Sequence, residues 1–340
     1  MKNLLLTSPS NIRYLSNFTG SKAVILKLPN KTYFFTDSRY FEEAKKIIPP
    51  IFNLQIYKKG EFKDEWQKIL KKHRLKEIHF EANHLTYSAL KYWRKISRPV
   101  KLKPQTGEIE KLRTKKSAQE IRLLKKSQQI NEQVFYTVKK HLKTGITEKE
   151  IAWKIQETAH KLGCDELAFP PIVAFGKSTS IPHHKTGPGK LKKGDMILID
   201  MGVKYKGMCS DMTRTLFTAK PTSEQEKAYQ TVLQAQKNAI RKLKPGITGH
   251  KAWQLAAKII DSDHFTHGLG HGIGLDIHES PSLAEKSKSK IKEGMVMTVE
   301  PGLYLPNKFG IRIEDMGVLR DKFENFTKAQ KELKDCIVEV

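Results

Sequence analysis

Apolar and polar positions change their rhythm along this chain. From residue 1 to about 110, short apolar runs such as AVILKL at 23–28 and TYFFT at 32–36 read as strands, interleaved with helical stretches such as the one beginning near Tyr40. This predicts a small α/β domain over residues 1–112. The segment SRPVKLKPQTGEIEKLRTKKS, 97–117, mixes Pro, Gly and Lys without a persistent apolar period, and a domain boundary is placed inside it. Beyond it, Ser117-x-x-Glu120 has the form of a capping box. Ile121, Leu124, Phe135, Val138 and Leu142 then fall at helical spacing, so a long amphipathic helix is predicted. It stops in LKTGIT, 142–147, where Gly145 can end one helix and Thr147-x-x-Glu150 can cap the next, which carries Ile151, Ile155, Ala159 and Leu162 on one face.

That arrangement returns. A further helix from about Ser223 ends in LKPGIT, 243–248, which differs from LKTGIT at a single position and lies 101 residues later (142 to 243). The segments KLKKGDMILIDMG, 190–202, and KIKEGMVMTVEPG, 290–302, are offset by 100 (190 to 290), and in both a short apolar run ends on an acid, Asp200 or Glu300. The two offsets describe one duplication: helix, LKxGIT, helix, then a strand ending in an acid. Residues 113–340 are therefore expected to form two related halves packed face to face. Two copies are too few for a solenoid, which stacks three or more.

A single acid at a strand end is commonly just the polar residue where the strand meets water. Here each is followed by a second. After IDMG the chain returns as CSDMTRT, placing Asp211 eleven residues beyond Asp200, and after VEPG it returns as IRIEDMG, placing Glu314 fourteen beyond Glu300. Each half thus offers a hairpin with two acids, and stacked halves would bring all four carboxylates together. Unpaired, they would repel severely and take up protons or spread apart. Two divalent cations would balance them. Oxygen ligands with one imidazole suit Mn²⁺, Co²⁺, Fe²⁺ or Zn²⁺, and HGLGHGIG, 267–274, offers His267 and His271 among glycines. As a phosphate-binding glycine loop the same stretch lacks the following Lys-Ser/Thr.

Composition adds bounds. With 38 % hydrophobic residues the chain can fill a real core. No apolar run has the length of a signal peptide or a membrane span, from which a cytoplasmic location is expected. Cys164, Cys209 and Cys336 lack the spacing of a zinc site or disulfide framework and read as packing residues in a reducing compartment. The net charge of +26 is spread along the chain, mostly as lysine, without a basic stretch interleaved with aromatics. It reads as a solvated coat, and nucleic acid is not expected as a partner.

IDMG with CSDMTRT, HGLGHGIGLDIHE, TVEPGLY and IRIEDMG, in this order, resemble the signature of the pita-bread dinuclear metallopeptidases, the group of methionine aminopeptidase, aminopeptidase P and prolidase. NIRYLSNFTGS and FFTDSRY resemble the N-terminal domain of the last two. The resemblance implies an α/β (α+β) chain with a small creatinase-like domain at 1–112 and a pseudo-twofold pita-bread catalytic domain at 113–340. It implies that Asp200 ligates one metal, His271 and Glu300 the other, and that Asp211 and Glu314 bridge them, with manganese the first choice among the ions above. The implied reaction is hydrolysis, by a metal-bridging hydroxide, of the bond between an N-terminal residue and a following proline. Glu300 takes and passes the proton, and His278 in LDIHE stabilises the oxyanion. His183 in STSIPHH, chosen over its neighbour His184, contacts the substrate, and His267 lines the pocket beyond the cleaved bond. Arg312 either orients Glu314, meets a substrate carboxylate or forms a structural ion pair. A prolidase acting on Xaa-Pro dipeptides is preferred. The alternatives are an aminopeptidase P acting on longer peptides and a non-catalytic binding protein. A homodimer without membrane contact completes the expectation.

Overall fold

A computed structural model describes residues 2–261 and 263–340. It divides the chain into two compact units, Met1–Arg113 and Thr114–Val340. The first is a six-stranded sheet in the order Phe52–Tyr57, Thr32–Asp37, Ala23–Lys27, Leu4–Leu6, Glu77–Glu81, Lys101–Gln105. Its inner strands are antiparallel, while Phe52–Tyr57, Glu77–Glu81 and Lys101–Gln105 join in parallel after helical crossovers. The predicted runs at 23–28 and 32–36 are strands Ala23–Lys27 and Thr32–Asp37, and the stretch near Tyr40 is helix Phe41–Ile47.

The second unit carries the duplication. Helix Ala118–Lys139 starts on Ser117 and helix Glu148–Lys161 on Thr147, each with both hydrogen bonds of the capping box formed. Their counterparts are Ser223–Lys242 and Gly249–Ala257. Between the members of each pair the LKxGIT junction bends through Gly145 and Gly246, at φ 89° and 92°, a left-handed conformation that glycine adopts without strain. Each junction is then pinned to the next strand segment by a matching bridge, Thr147 to Lys190 and Thr248 to Lys290.

The sheets follow the same plan. Met196–Met201 pairs antiparallel with Met212–Phe217 and with Ile172–Phe175. In the second half Val296–Val299 pairs antiparallel with Asp315–Leu319, within a five-stranded sheet that also holds Gly270–Gly272 and Glu279–Leu283. The return in each half is longer than a plain turn. Residues 203–209 form a small hairpin of their own, and Gly302–Leu305 pairs with Phe309–Arg312 as a separate ribbon. Apolar faces of the four helices and the inner strands merge in one core, which includes Val134, Ile155, Ile199, Val232 and Met297. No helix among the described residues is long and apolar enough to cross a membrane.

Polar side chains inside this core close backbone gaps. Asn131 Nδ2 donates to Met201 O at 2.9 Å and Ser127 Oγ to Val203 O at 3.1 Å, where the strand leaves its ladder. The three cysteines are free and buried, and burial pushes the Cys164 thiol up to about 11 and Cys209 to about 12. Since the thiolate is the reacting form, a disulfide reagent at mildly alkaline pH should label the native protein far more slowly than the denatured chain, in which all three react. A native thiol as fast as a denatured one would contradict this packing.

Candidate active site

Strand ends position the acids. Asp200 is the fifth residue of Met196–Met201, and Asp211 immediately precedes Met212–Phe217. Glu300 follows Val299, the end of its strand, and Glu314 precedes Asp315, the start of its strand. The halves meet here: Glu314 N donates to Thr213 O at 3.1 Å, so the second half's return strand runs beside the first half's. A cavity of about 450 Å³ opens at this seam, and its lining includes every residue nominated from the sequence: Asp200, Asp211, His271, Glu300, Glu314, His183, His267, His278 and Arg312.

Asp200 and Glu314 are each held by one oxygen and bare at the other. Asp200 Oδ2 accepts from Arg312 Nη2 at 2.7 Å, and Glu314 Oε2 from Thr213 Oγ1 at 2.8 Å. Thr298 Oγ1 donates to Glu300 Oε1 at 3.1 Å. Asp200 Oδ1, Asp211 Oδ1 and Glu314 Oε1 are buried without any hydrogen-bond partner. A buried carboxylate oxygen without a donor is expensive. His271 sharpens the case. Its Nδ1 lies 3.1 Å from Gly272 O and must donate to that carbonyl, so in the neutral ring Nε2 carries a lone pair. Burial lowers the pKa of this ring and keeps it neutral. Yet Nε2 faces Glu300 Oε1 at 3.3 Å and Asp211 Oδ2 at 3.6 Å. Acceptors gathered around one point without a donor among them fit a cation. Ligating atoms of Asp211, His271 and Glu314 lie within 4.8 Å of one another.

The other histidines take distinct places. His267 Nδ1 donates to Gly268 O at 2.7 Å, and its Nε2 lies 3.0 Å from the Tyr304 hydroxyl, which itself accepts from Arg312 Nη1 at 2.7 Å. The chain of bonds fixes the tautomer, and burial lowers the pKa so that the ring is neutral. His278 stands edge-to-face on His271 with ring centroids 4.3 Å apart. Burial, then His271, depresses its pKa as well. His183 lines the cavity. His184 does not appear in that lining, and its Nε2 instead bonds Glu148 Oε2 at 2.8 Å.

Arg312, for which three roles were open, forms an ion pair, and its carboxylate partner is Asp200 rather than Glu314. The side chain is buried, with further bonds to Thr213 Oγ1 and Pro182 O. Thr213, Thr298 and Tyr304 were not singled out from the sequence. A signal existed: Thr213 and Thr298 sit two positions from Asp211 and Glu300, and in a strand residues two apart share a face.

Burial first, then mutual repulsion, pushes the Asp211 and Glu314 carboxyls well above their ordinary values of 3.8 and 4.5, and burial raises Glu300 too. A carboxyl whose pKa is higher folded than unfolded contributes its full stability below the unfolded value and loses it as pH rises through the folded one. Chelated protein should therefore lose stability as pH climbs out of the carboxyl range, and Asp211→Asn should flatten that loss. Divalent ion at a hundred times its Kd should return about 2.7 kcal/mol to the wild type. Melting curves against pH, with chelator or added ion, measure this, and equal slopes in wild type and variant would contradict it.

Known proteins share this fold. The model of metallopeptidase family M24 matches residues 122–321, and that of the creatinase/prolidase N-terminal domain residues 1–115. The Xaa-Pro dipeptidase of Pyrococcus furiosus is 32 % identical over 337 residues, covering 97 % of this chain and 94 % of that protein. Among solved structures, an Xaa-Pro dipeptidase from Bacillus anthracis superposes with TM-score 0.94 at 35 % identity, over 98 % of this chain and 94 % of that one. An X-Pro aminopeptidase from Thermotoga maritima does so with TM-score 0.91 at 33 % identity, over 97 % and 96 %.

Proposed function

The chain belongs to metallopeptidase family M24 and is a hydrolase, and from that premise we propose that it cleaves the bond between an N-terminal residue and a following proline, preferentially in Xaa-Pro dipeptides. The observation that carries this reading is the set of buried carboxylate oxygens left without donors at the seam of the halves, Asp200 Oδ1, Asp211 Oδ1 and Glu314 Oε1. Asp200, Asp211, His271, Glu300 and Glu314 would hold two divalent ions. Manganese is favoured, with cobalt, zinc or iron as alternatives, because the donors are hard oxygens with one imidazole. When bound, such ions supply a water acidic enough to attack at neutral pH and polarise the scissile carbonyl.

The remaining steps belong to the chain's own groups. Glu300, held by Thr298 and raised in pKa by burial, takes the proton of the attacking water and returns one to the departing nitrogen. His278 offers a neutral N–H to the charge that develops on the carbonyl oxygen. His183 contacts the substrate beside the scissile bond, and His267, fixed by Tyr304 and Gly268, walls the pocket for the proline. An Xaa-Pro amide has no N–H, so it is read poorly by clefts that treat substrate as a strand. A walled pocket needs no such bond. Assembly as a cytoplasmic homodimer belongs to the same reading.

One observation favours the second reading, an aminopeptidase acting on longer peptides. Arg312 is the sole guanidinium or ammonium group among the described residues lining the cavity, and it is committed to Asp200. It is not free to meet the carboxylate of a dipeptide. Rates on an Xaa-Pro dipeptide, an Xaa-Pro tripeptide and longer peptides, with metal supplied, decide between the two. A preference for the longer peptides would overturn the dipeptidase assignment.

Two variants test the roles. Asp211→Ala should lose activity and bind less metal per chain; wild-type stoichiometry and turnover would remove Asp211 from the centre. His278→Ala should keep its metal and lower kcat by about 10²–10³-fold with little change in KM, as for a donor used only while negative charge develops. Equal effects on binding and turnover would instead mark His278 as a ground-state contact.

A further inference from the structure

The two halves moor their second helix identically. In the first, Glu148 N donates to Gly189 O at 3.0 Å and Lys149 N to Gly187 O at 3.1 Å; in the second, Gly249 N donates to Ser289 O at 2.8 Å and His250 N to Ser287 O at 3.0 Å. The side chains at the matched position differ completely. A Cβ at Gly249 would fall 2.0 Å from Ser282 O, so only glycine fits. The first half has Glu148 there, 2 % exposed.

A buried carboxylate needs donors, and Glu148 has them from one segment. Its Oε1 accepts from Phe175 N at 3.0 Å, and its Oε2 from Gly187 N and from His184 Nε2, both at 2.8 Å. Phe175 ends the strand Ile172–Phe175, and Gly187 lies just past His183 and His184. One carboxylate, fixed on the first turn of a helix whose N-terminus favours negative charge, therefore holds both ends of segment 175–187. It also holds the imidazole next in sequence to the one in the cavity. No part of the acid cluster uses these bonds.

We propose that Glu148, through His184 and the two amides, is a positioning residue that presents His183 to the substrate. This rests on reading His183 as a substrate contact. Without the carboxylate the segment keeps its chain path but loses the restraint that fixes where His183 points, so the cost falls on substrate affinity first.

The test is a double-mutant cycle on the metal-loaded enzyme with an Xaa-Pro substrate. Glu148→Gln should raise KM by about tenfold, with metal content unchanged and a smaller effect on kcat. His184→Ala, which removes one bond of the three, should move KM the same way by less. In a His183→Ala background Glu148→Gln should add nothing further, because the residue it positions is gone. Amide hydrogen exchange across 175–187 should quicken in Glu148→Gln and not in His183→Ala. Independent, multiplying losses in the double variant, or unchanged exchange in Glu148→Gln, would overturn the proposal. Quickened exchange with wild-type kinetics in His183→Ala would instead leave Glu148 as the anchor and overturn the reading of His183, so the two failures are told apart.

Discussion

Negative charge confined away from water is the condition around which the catalytic unit is arranged. Asp200, Asp211, Glu300 and Glu314 line one cavity, with a single buried arginine to oppose them. Arg312 cannot balance four carboxylates, and its one acidic contact, Asp200, leaves Asp211 in the field of Glu314 and Glu314 in that of Glu300. The hydroxyls of Thr213 and Thr298 each take one lone pair and supply no charge. Asp200 Oδ1, Asp211 Oδ1 and Glu314 Oε1 still have no donor, and that remainder suits cations.

A cluster under such repulsion must be held by something stiffer than the acids themselves. That is the neighbouring weld between the halves. Arg214 and Asp315, both fully buried, pair at 2.9 Å. The guanidinium also donates to Thr213 O, Glu314 O and Ala329 O, and Lys331 closes on Asp315 from the other side. A buried ion pair is weak evidence for stability, because desolvation offsets its attraction. Its use here is geometric: Arg214 stands beside Thr213, whose hydroxyl holds Glu314, and Asp315 stands beside Glu314, which lines the cavity. The weld therefore sets the separation of opposing strand ends without entering the cavity.

Much of this was legible in the chain because it is local. Capping boxes at Ser117 and Thr147, the repeated LKxGIT junction and the apolar runs into Asp200 and Glu300 are patterns within a few residues, and the helices and strands follow them. The duplication gave the stacking of halves, and resemblance gave roles to individual positions. Partners across the fold were not legible. Arg312 reaches Asp200 over 112 positions and Thr213 reaches Glu314 over 101, and no periodicity encodes such pairs. Arg312 stands two before Glu314, which kept that acid among its readings, but the strand turns the guanidinium toward the other half. Glu148 was hidden for a different reason. As the first residue of a capped helix it looks like a solvated acid favouring the helix dipole, and only the loop folded over it makes it interior.

The contrast between Glu148 and Gly249 has a consequence for what the cleft can tell apart. A peptide has direction, with an ammonium at one end and a carboxylate at the other. A cleft with true twofold symmetry would present the same walls to a chain entering either way. Here the shared backbone moorings preserve the symmetric frame, while the loop held by Glu148 brings Pro182 and His183 to the cavity and the strand packed on Gly249 brings Ser282. The walls are thereby made unlike, and the duplicated frame acquires a polarity that matches the polarity of a polypeptide.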